Sequence, residues 1–161
     1  MKVRVGMGFD VHRLEEGREF WLGGVRLPGS KGAAGHSDAD VLIHAICDAL
    51  LGAANLRDIG FHFSNSDQRW KGMDSKFFLR EVTKMLNDKG WEIGNVDCTV
   101  TLENPKVNPH VDSMKQVLAP LMNIQKDDLS IKATTNEMLG YVGREEGINA
   151  YAVALIMTKK S

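Results

Sequence analysis

The chain predicts an α/β fold: one two-layer domain spanning residues 1–161, with helices over a four-stranded sheet and a small hairpin beside it. Three observations predict it. Residues 3–12 alternate apolar with other side chains at a period of two, as a strand does. Residues 41–51 are apolar on nearly every side, as a buried helix is. The elements run strand, hairpin, helix, helix, strand, helix, strand, strand, an order that suits a sheet covered by helices.

With 161 residues, 43% of them hydrophobic, the chain is long enough to enclose one core. A formal net charge of -1 argues against a nucleic-acid or anionic-membrane partner held by bulk charge. No stretch reaches membrane-spanning length, and the opening Met1-Lys2-Val3-Arg4 lacks signal-peptide character. Cys47 and Cys98 lie in apolar segments and read as small hydrophobes, not as a disulfide or a thiolate zinc site. The expectation is a soluble, cytoplasmic protein.

Each element has its own signal. Val3, Val5, Met7, Phe9 and Val11 alternate with Arg4, Gly6, Gly8, Asp10 and His12, so Asp10 and His12 leave the same face of the strand. Residues 20–27 form a hairpin on Gly23-Gly24, and 28–35, glycine-rich and small, read as loop. Ser37 stands where an N-cap belongs, ahead of a helix ending near Gly52 or Ala54. On that helix Asp40, His44 and Asp48, spaced by four, form one polar stripe. Residues 55–72 are an irregular loop of a length that often has a task.

Asp74 caps a second helix that puts Phe77, Phe78, Val82, Met85 and Leu86 inward and stops at Gly90. Residues 96–102 alternate as a half-buried strand. Asn108-Pro109 opens a third helix, which Pro120 should kink or end. Residues 129–135 form a strand leading into Thr134-Thr135-Asn136-Glu137, which has the spacing of a capping box. Residues 148–157, apolar in both parities, suit a central or interface strand.

Two carboxylates and an imidazole on a buried helix are unfavourable unless paired or bound to a metal. Asp10, His12 and His44 match a three-ligand centre with an open fourth position, the pattern of catalytic zinc, with Asp48 or a backbone carbonyl orienting His44. The other reading makes His44 a core histidine paired with Asp40 or Asp48. His36 and Ser37 read either as loop and cap or as an anion site. Thr134 to Glu137 likewise either cap a helix or hold phosphate with a divalent cation. Taken singly, Lys106 is a solvated loop lysine and Asp58 a turn aspartate.

Several motifs occur together and in order: Gly8-Phe9-Asp10-Val11-His12, Gly35-His36-Ser37-Asp38, Asp58-Ile59-Gly60, Asn104-Pro105-Lys106, Lys132-Ala133-Thr134-Thr135-Asn136-Glu137 and Gly143-Arg144-Glu145-Glu146-Gly147. Through them the chain, from about Val3 to Met157, resembles the 2-C-methyl-D-erythritol 2,4-cyclodiphosphate synthase family, lyases of non-mevalonate isoprene (terpenoid) biosynthesis.

The resemblance implies a homotrimer of mixed sheets with helices on one side and active sites between subunits. It implies Zn2+ on Asp10, His12 and His44, and Mg2+ or Mn2+ on Glu137. His36 and Thr135 would be catalytic. Asp10, Val11, His12, His36 and Ser37 would meet the substrate, with Asp58, Ile59 and Gly60 on its erythritol side. The loop Phe63, Ser64, Asn65, Ser66 and Asp67 would border the same part. Leu102, Glu103, Asn104, Pro105, Lys106 and Val107 would wrap the cytidine, and Asn108 would also meet the substrate. Thr134 and Thr135 would come from the adjacent subunit toward the nucleotide's diphosphate, and Asn136, Glu137, Tyr141 and Arg144 would also meet the substrate. Phe9, Arg144 and Glu146 would line the trimer axis, where an isoprenoid diphosphate-like ligand sits.

The implied reaction converts 4-diphosphocytidyl-2-C-methyl-D-erythritol 2-phosphate to the cyclic 2,4-diphosphate with release of CMP. A metal-dependent phosphohydrolase acting on a nucleotide-diphosphate substrate is the alternative. A non-catalytic trimeric binding protein with a structural metal is a third reading.

Overall fold

A computed structural model describes residues 1–159. Its strands are β1 (Val3–Glu16), the hairpin β2 (Phe20–Leu22) and β3 (Val25–Leu27), β4 (Lys31–Ala34), β5 (Trp91–Thr101), β6 (Leu129–Thr134) and β7 (Gly147–Thr158). Five of them form one sheet in the order β4-β1-β7-β5-β6, and β2-β3 stands apart. The sheet is mixed: β5 and β6 run parallel, and every other pair is antiparallel. β7 is central in the sheet, yet only one of its two apolar faces is covered by helices; Tyr151 and Val153 on the other stand exposed.

The sheet has one strand more than expected. Lys31–Ala34 is not loop but an edge strand, pairing with Arg13–Glu16. Its small residues show no hydrophobic period, and smallness is what the site requires. A Cβ on Gly32 would lie 2.1 Å from the Glu19 carbonyl oxygen of the chain crossing above it.

Helix α1 (Val41–Ala53) lies across β1 and β7. Two glycines set how closely it lies. A Cβ on Gly6 would fall 2.0 Å from the Ala49 carbonyl oxygen, and one on Gly8 would fall 1.9 Å from that of Ala45. Buried Ala150, Ala152 and Ala154 of β7 continue the flat surface. The helix backbone therefore rests almost directly on the strand backbone. After the short α2 (Ile59–His62), helix α3 (Ser75–Asp88) covers α1 from the other side, which is why α1 is apolar all round. As predicted, Asp74 caps α3 and Gly90, at φ 78°, follows its end.

The cap of α1 differs from the expectation. Asp40, not Ser37, is the N-cap, its carboxylate accepting from the Ile43 amide at 3.1 Å. The same fully buried carboxylate accepts from the amides of Gly23 at 2.9 Å and Gly24 at 2.7 Å. It thus ties the hairpin turn to the start of the helix, and it serves no histidine.

Helix α4 (Val111–Leu121) carries Pro120 in its last turn and ends one residue later. No helix begins at Thr135. Glu137 and Met138 adopt positive φ of 51° and 61°, and only the four-residue α5 (Gly140–Gly143) follows. The capping-box spacing of residues 134–137 therefore caps nothing, and no helix dipole acts there.

The helices lie on one face. On the other, Val3, Val5, Met7, Phe9 and Val11 of β1 and Tyr151 and Val153 of β7 stand exposed, Val5 and Met7 at 65% each. Among the described residues no helix is long and apolar enough to cross a membrane. Cys47 and Cys98 are buried free thiols, and burial, the main cause, pushes Cys98 up to about 12 and raises Cys47 well above the ordinary range. Neither should react with a disulfide reagent until denaturant is added; labelling of the native protein would contradict this packing.

Candidate metal centre and its cleft

Asp10 and His12 share one face of β1, and the glycine-mediated contact of β1 with α1 brings His44 to them. Asp10 Oδ2 lies 3.0 Å from His12 Nε2 and 3.1 Å from His44 Nδ1. The two ring nitrogens are 3.3 Å apart. These three donors are the one such group of His, Cys, Asp and Glu able to hold a metal ion among the described residues.

The outer side of each ring decides what the inner side offers. His12 Nδ1 lies 2.9 Å from the Ala34 carbonyl oxygen, an acceptor only, so this nitrogen carries the proton and Nε2 a lone pair. His44 Nε2 lies 2.9 Å from Ser75 Oγ, with Ser37 Oγ at 3.3 Å. The His44–Asp48 contact expected from the helix stripe does not form. Asp48 instead accepts from the Ile59 amide at 2.7 Å and anchors the start of α2.

Asp10 and His12 favour each other's charged forms. Burial raises Asp10's carboxyl, but hydrogen bonds and charge from His12 and His44 outweigh it and hold the group well below the usual range. Burial lowers His12, yet its hydrogen bond with Asp10 leaves it raised overall. Both shifts say that the cluster attracts positive charge. A divalent ion meets that demand, since one carboxylate and two neutral imidazoles suit zinc-type ions and leave a position open. The residues fit the ion.

The arrangement depends on the β1–α1 contact, which gives a sharp test. Gly8→Ala would force a methyl group to within 1.9 Å of the Ala45 backbone oxygen, one residue from His44. The helix has to move outward, at a cost of about 1–3 kcal/mol. We expect a lower midpoint of chemical unfolding together with weaker metal binding; unchanged metal affinity would contradict this coupling.

The three donors open onto a cleft of about 330 Å³, also lined by His36, Ser37, Ile59, Gly60, Phe63 and Asn65. Trp70 and Phe78 complete it, and neither was singled out as a site residue from the sequence. Phe63 packs on Phe78 with ring centroids 4.9 Å apart, and Trp70 stacks on Phe77. His36 holds the loop: its Nε2 lies 3.2 Å from the Asp67 carbonyl oxygen, and its own carbonyl accepts from Gly72 at 2.8 Å. Asp58, Ser64, Ser66 and Asp67 do not line the cleft. Asp58 caps α2, Ser64 and Ser66 bond each other at 2.8 Å, and Asp67 pairs with Arg69.

A second cluster gathers elsewhere. Leu102 donates its amide to the Thr134 carbonyl at 3.0 Å. Glu103 Oε1 accepts from the Asn136 amide at 2.8 Å and the Met138 amide at 3.4 Å. Thr135 donates to Glu137 at 3.2 Å, Lys106 to the Glu103 carbonyl at 3.2 Å, and Asn104 to Glu145 at 2.7 Å. Pro105, buried Val107 and Asn108 complete the 102–108 loop. Glu103 is thus the organiser of two loops. No residue of 102–108 or 134–137 lines the cleft of the same chain.

Val11 belongs to a different groove of about 680 Å³, with Lys31, Tyr141, Arg144 and Glu146. There Arg144 pairs with Glu146 at 3.0 Å. Phe9 lies apart from them, on the uncovered face against Tyr151 at 5.1 Å between ring centroids.

The family model of the YgbB family matches residues 3–157. The chain belongs to the YgbB family. Among relatives in this family, the 2-C-methyl-D-erythritol 2,4-cyclodiphosphate synthase of Cytophaga hutchinsonii is 66% identical over 98% of this chain and 99% of its own length. That of Porphyromonas gingivalis is 60% identical over 96% and 95%. A solved 2C-methyl-D-erythritol-2,4-cyclodiphosphate synthase in a CDP-bound form superposes with TM-score 0.88 at 38% identity, over 96% of this chain and all of that one. The bifunctional IspDF of Campylobacter jejuni superposes with TM-score 0.95 at 33% identity over 99% of this chain, which spans 43% of that protein.

Proposed function

We infer that this chain is a 2-C-methyl-D-erythritol 2,4-cyclodiphosphate synthase, converting 4-diphosphocytidyl-2-C-methyl-D-erythritol 2-phosphate to the cyclic 2,4-diphosphate and CMP. Its near full-length likeness to enzymes of that name supports the reading. The observation that carries it is the convergence of Asp10, His12 and His44 on one point at the floor of the cleft.

The chemistry suits these residues. An oxygen of the substrate's 2-phosphate bonds to the β-phosphorus of the diphosphate as the bond from that phosphorus to the bridging oxygen breaks and CMP leaves, so no strong general base is needed. Holding the two ends in line contributes up to roughly 7–11 kcal/mol in well-oriented intramolecular reactions. When bound, Zn2+ at Asp10, His12 and His44 and Mg2+ or Mn2+ at Glu137 supply the positive charge that phosphate oxygens need. His36 and Ser37 line the cleft beside the three donors and are placed to orient a phosphate. Ile59, Phe63 and Trp70 give the erythritol part an apolar wall and exclude water. Thr135 and Glu137, with the cytidine-facing loop at 102–108, reach the substrate from a neighbouring subunit, since they do not line the cleft of their own chain. In this reading the active site lies between subunits of a cytoplasmic homotrimer of single-domain chains.

The uncovered apolar face of β1 and β7 is the surface such a trimer would bury. Arg144, Glu146 and Phe9 would then face the axis, with room for an isoprenoid diphosphate. Met7→Asp sets a charge on that face and is expected to give monomers by light scattering, with catalytic activity lost although the three metal donors remain. An active monomer would contradict completion of the site by a neighbour.

The activity assay is direct. Purified protein with both cations and the substrate should yield the cyclic diphosphate and CMP, with no heavy oxygen taken up from labelled water. Label in the product would instead show hydrolysis by water.

A further inference from the structure

We propose that Asp38 and Ser75 are positioning residues that fix the tautomer of His44 and so set the metal affinity of the centre. The proposal rests on the reading of Asp10, His12 and His44 as ligands. Ser75, the first residue of α3, is fully buried and lies 31 positions along the chain from His44. Its Oγ meets two groups at once: His44 Nε2 at 2.9 Å and a carboxylate oxygen of Asp38. The other oxygen of Asp38 accepts from the Ser75 amide at 2.9 Å.

Counting protons settles the direction. A carboxylate only accepts, so the one hydroxyl proton of Ser75 goes to Asp38. Ser75 Oγ is then left to accept, and its partner is an N–H on His44 Nε2. That places the lone pair of His44 on Nδ1, which faces Asp10 Oδ2 at 3.1 Å and His12 Nε2 at 3.3 Å. Ser37 Oγ, the other neighbour of Nε2, already accepts from the Ala39 amide at 3.2 Å. Asp38 is itself held, accepting from the Asp40 amide at 3.1 Å and donating its own amide to the Met73 carbonyl at 3.1 Å. The edge of Phe78, with ring centroids 6.2 Å apart, restrains the imidazole plane. The Asp38–Ser75–His44 chain does for His44 what the Ala34 carbonyl does for His12. It joins the starts of α1 and α3 to the centre, which neither helix's own pattern shows.

The test uses the full chain and zinc itself. Zinc affinity is measured by competition with a chromophoric chelator, and the visible spectrum of the cobalt-loaded protein reports ligand geometry. Ser75→Ala, which keeps the backbone bond to Asp38, should weaken zinc binding about 10–100-fold. Asp38→Asn should do the same, and both should alter the cobalt bands. The double variant should be no more than about twofold weaker than Ser75→Ala, because the two residues act through one chain. Affinities and spectra like those of the native protein would overturn the proposal, as would losses that multiply in the double variant. If one variant does not fold, the other carries the test. Native protein that takes up no zinc would overturn the ligand reading and this proposal together, and that result needs no variant to be seen.

Discussion

His44→Ala is expected to empty the metal centre and to lower kcat/KM on the order of 10³-fold or more. Removing this imidazole leaves two donors, Asp10 and His12, both on β1, and two are too few for a zinc-type site. The cleft also loses the group that joins the strand side to the helix side. The fold should persist, since α1 is held by the apolar surface around it and by the Gly6 and Gly8 contacts. The loss of His44's half-buried ring leaves a hole beside Phe78, so unfolding should need somewhat less denaturant. Elemental analysis after gel filtration is the decisive readout, with metal absent from a correctly sized assembly. A variant with full metal content would show that the ion sits elsewhere. A variant that fails to fold even with metal supplied would point to a structural centre.

Asp40→Ala should be among the most destabilising single changes, by about 3 kcal/mol or more. Three amides, those of buried Gly23 and Ile43 and of half-buried Gly24, lose their one shared acceptor. Burial, which raises the carboxyl of Asp40, offsets part of the gain from these bonds in the native protein, yet removing the side chain leaves all three donors unpaired. The hairpin turn, with both glycines at positive φ, then loses its tie to α1. Denaturant unfolding at fixed protein concentration measures the loss, and metal content at low temperature should stay near native. A change below 1 kcal/mol would mean that water reaches these amides.

Much of this was legible in the sequence, and where it was not the reason is physical. The all-round apolar α1 announces its buried setting and the period-two run of β1 announces a strand, whereas the apolar side chains of β1 and one apolar face of β7 lie uncovered in the single chain. Asp10 and His12 share a face by parity alone, but Asp40, His44 and Asp48 share one stripe of the buried helix, so spacing left open which of them joins the strand pair. The strand at 31–34 was hidden because its small residues answer to a crossing backbone, not to a hydrophobic pattern. Ser37 outranked Asp40 as a cap because the hairpin amides that recruit Asp40 are distant in sequence. Ser75 and Glu103 were invisible as organisers for the same reason: each acts on backbone or side chains more than 30 positions away. The turn at 134–138 has helix-start spacing, but positive φ at Glu137 and Met138 replaces the helix.

The inferred activity depends on Asp10, His12 and His44 holding one ion. Diffraction from crystals of the zinc-loaded protein, recorded on both sides of the zinc absorption edge, tests it most directly. One anomalous peak per chain is expected, about 2.0–2.2 Å from Asp10 Oδ2, His12 Nε2 and His44 Nδ1. A peak elsewhere, or none among these three atoms, would contradict it.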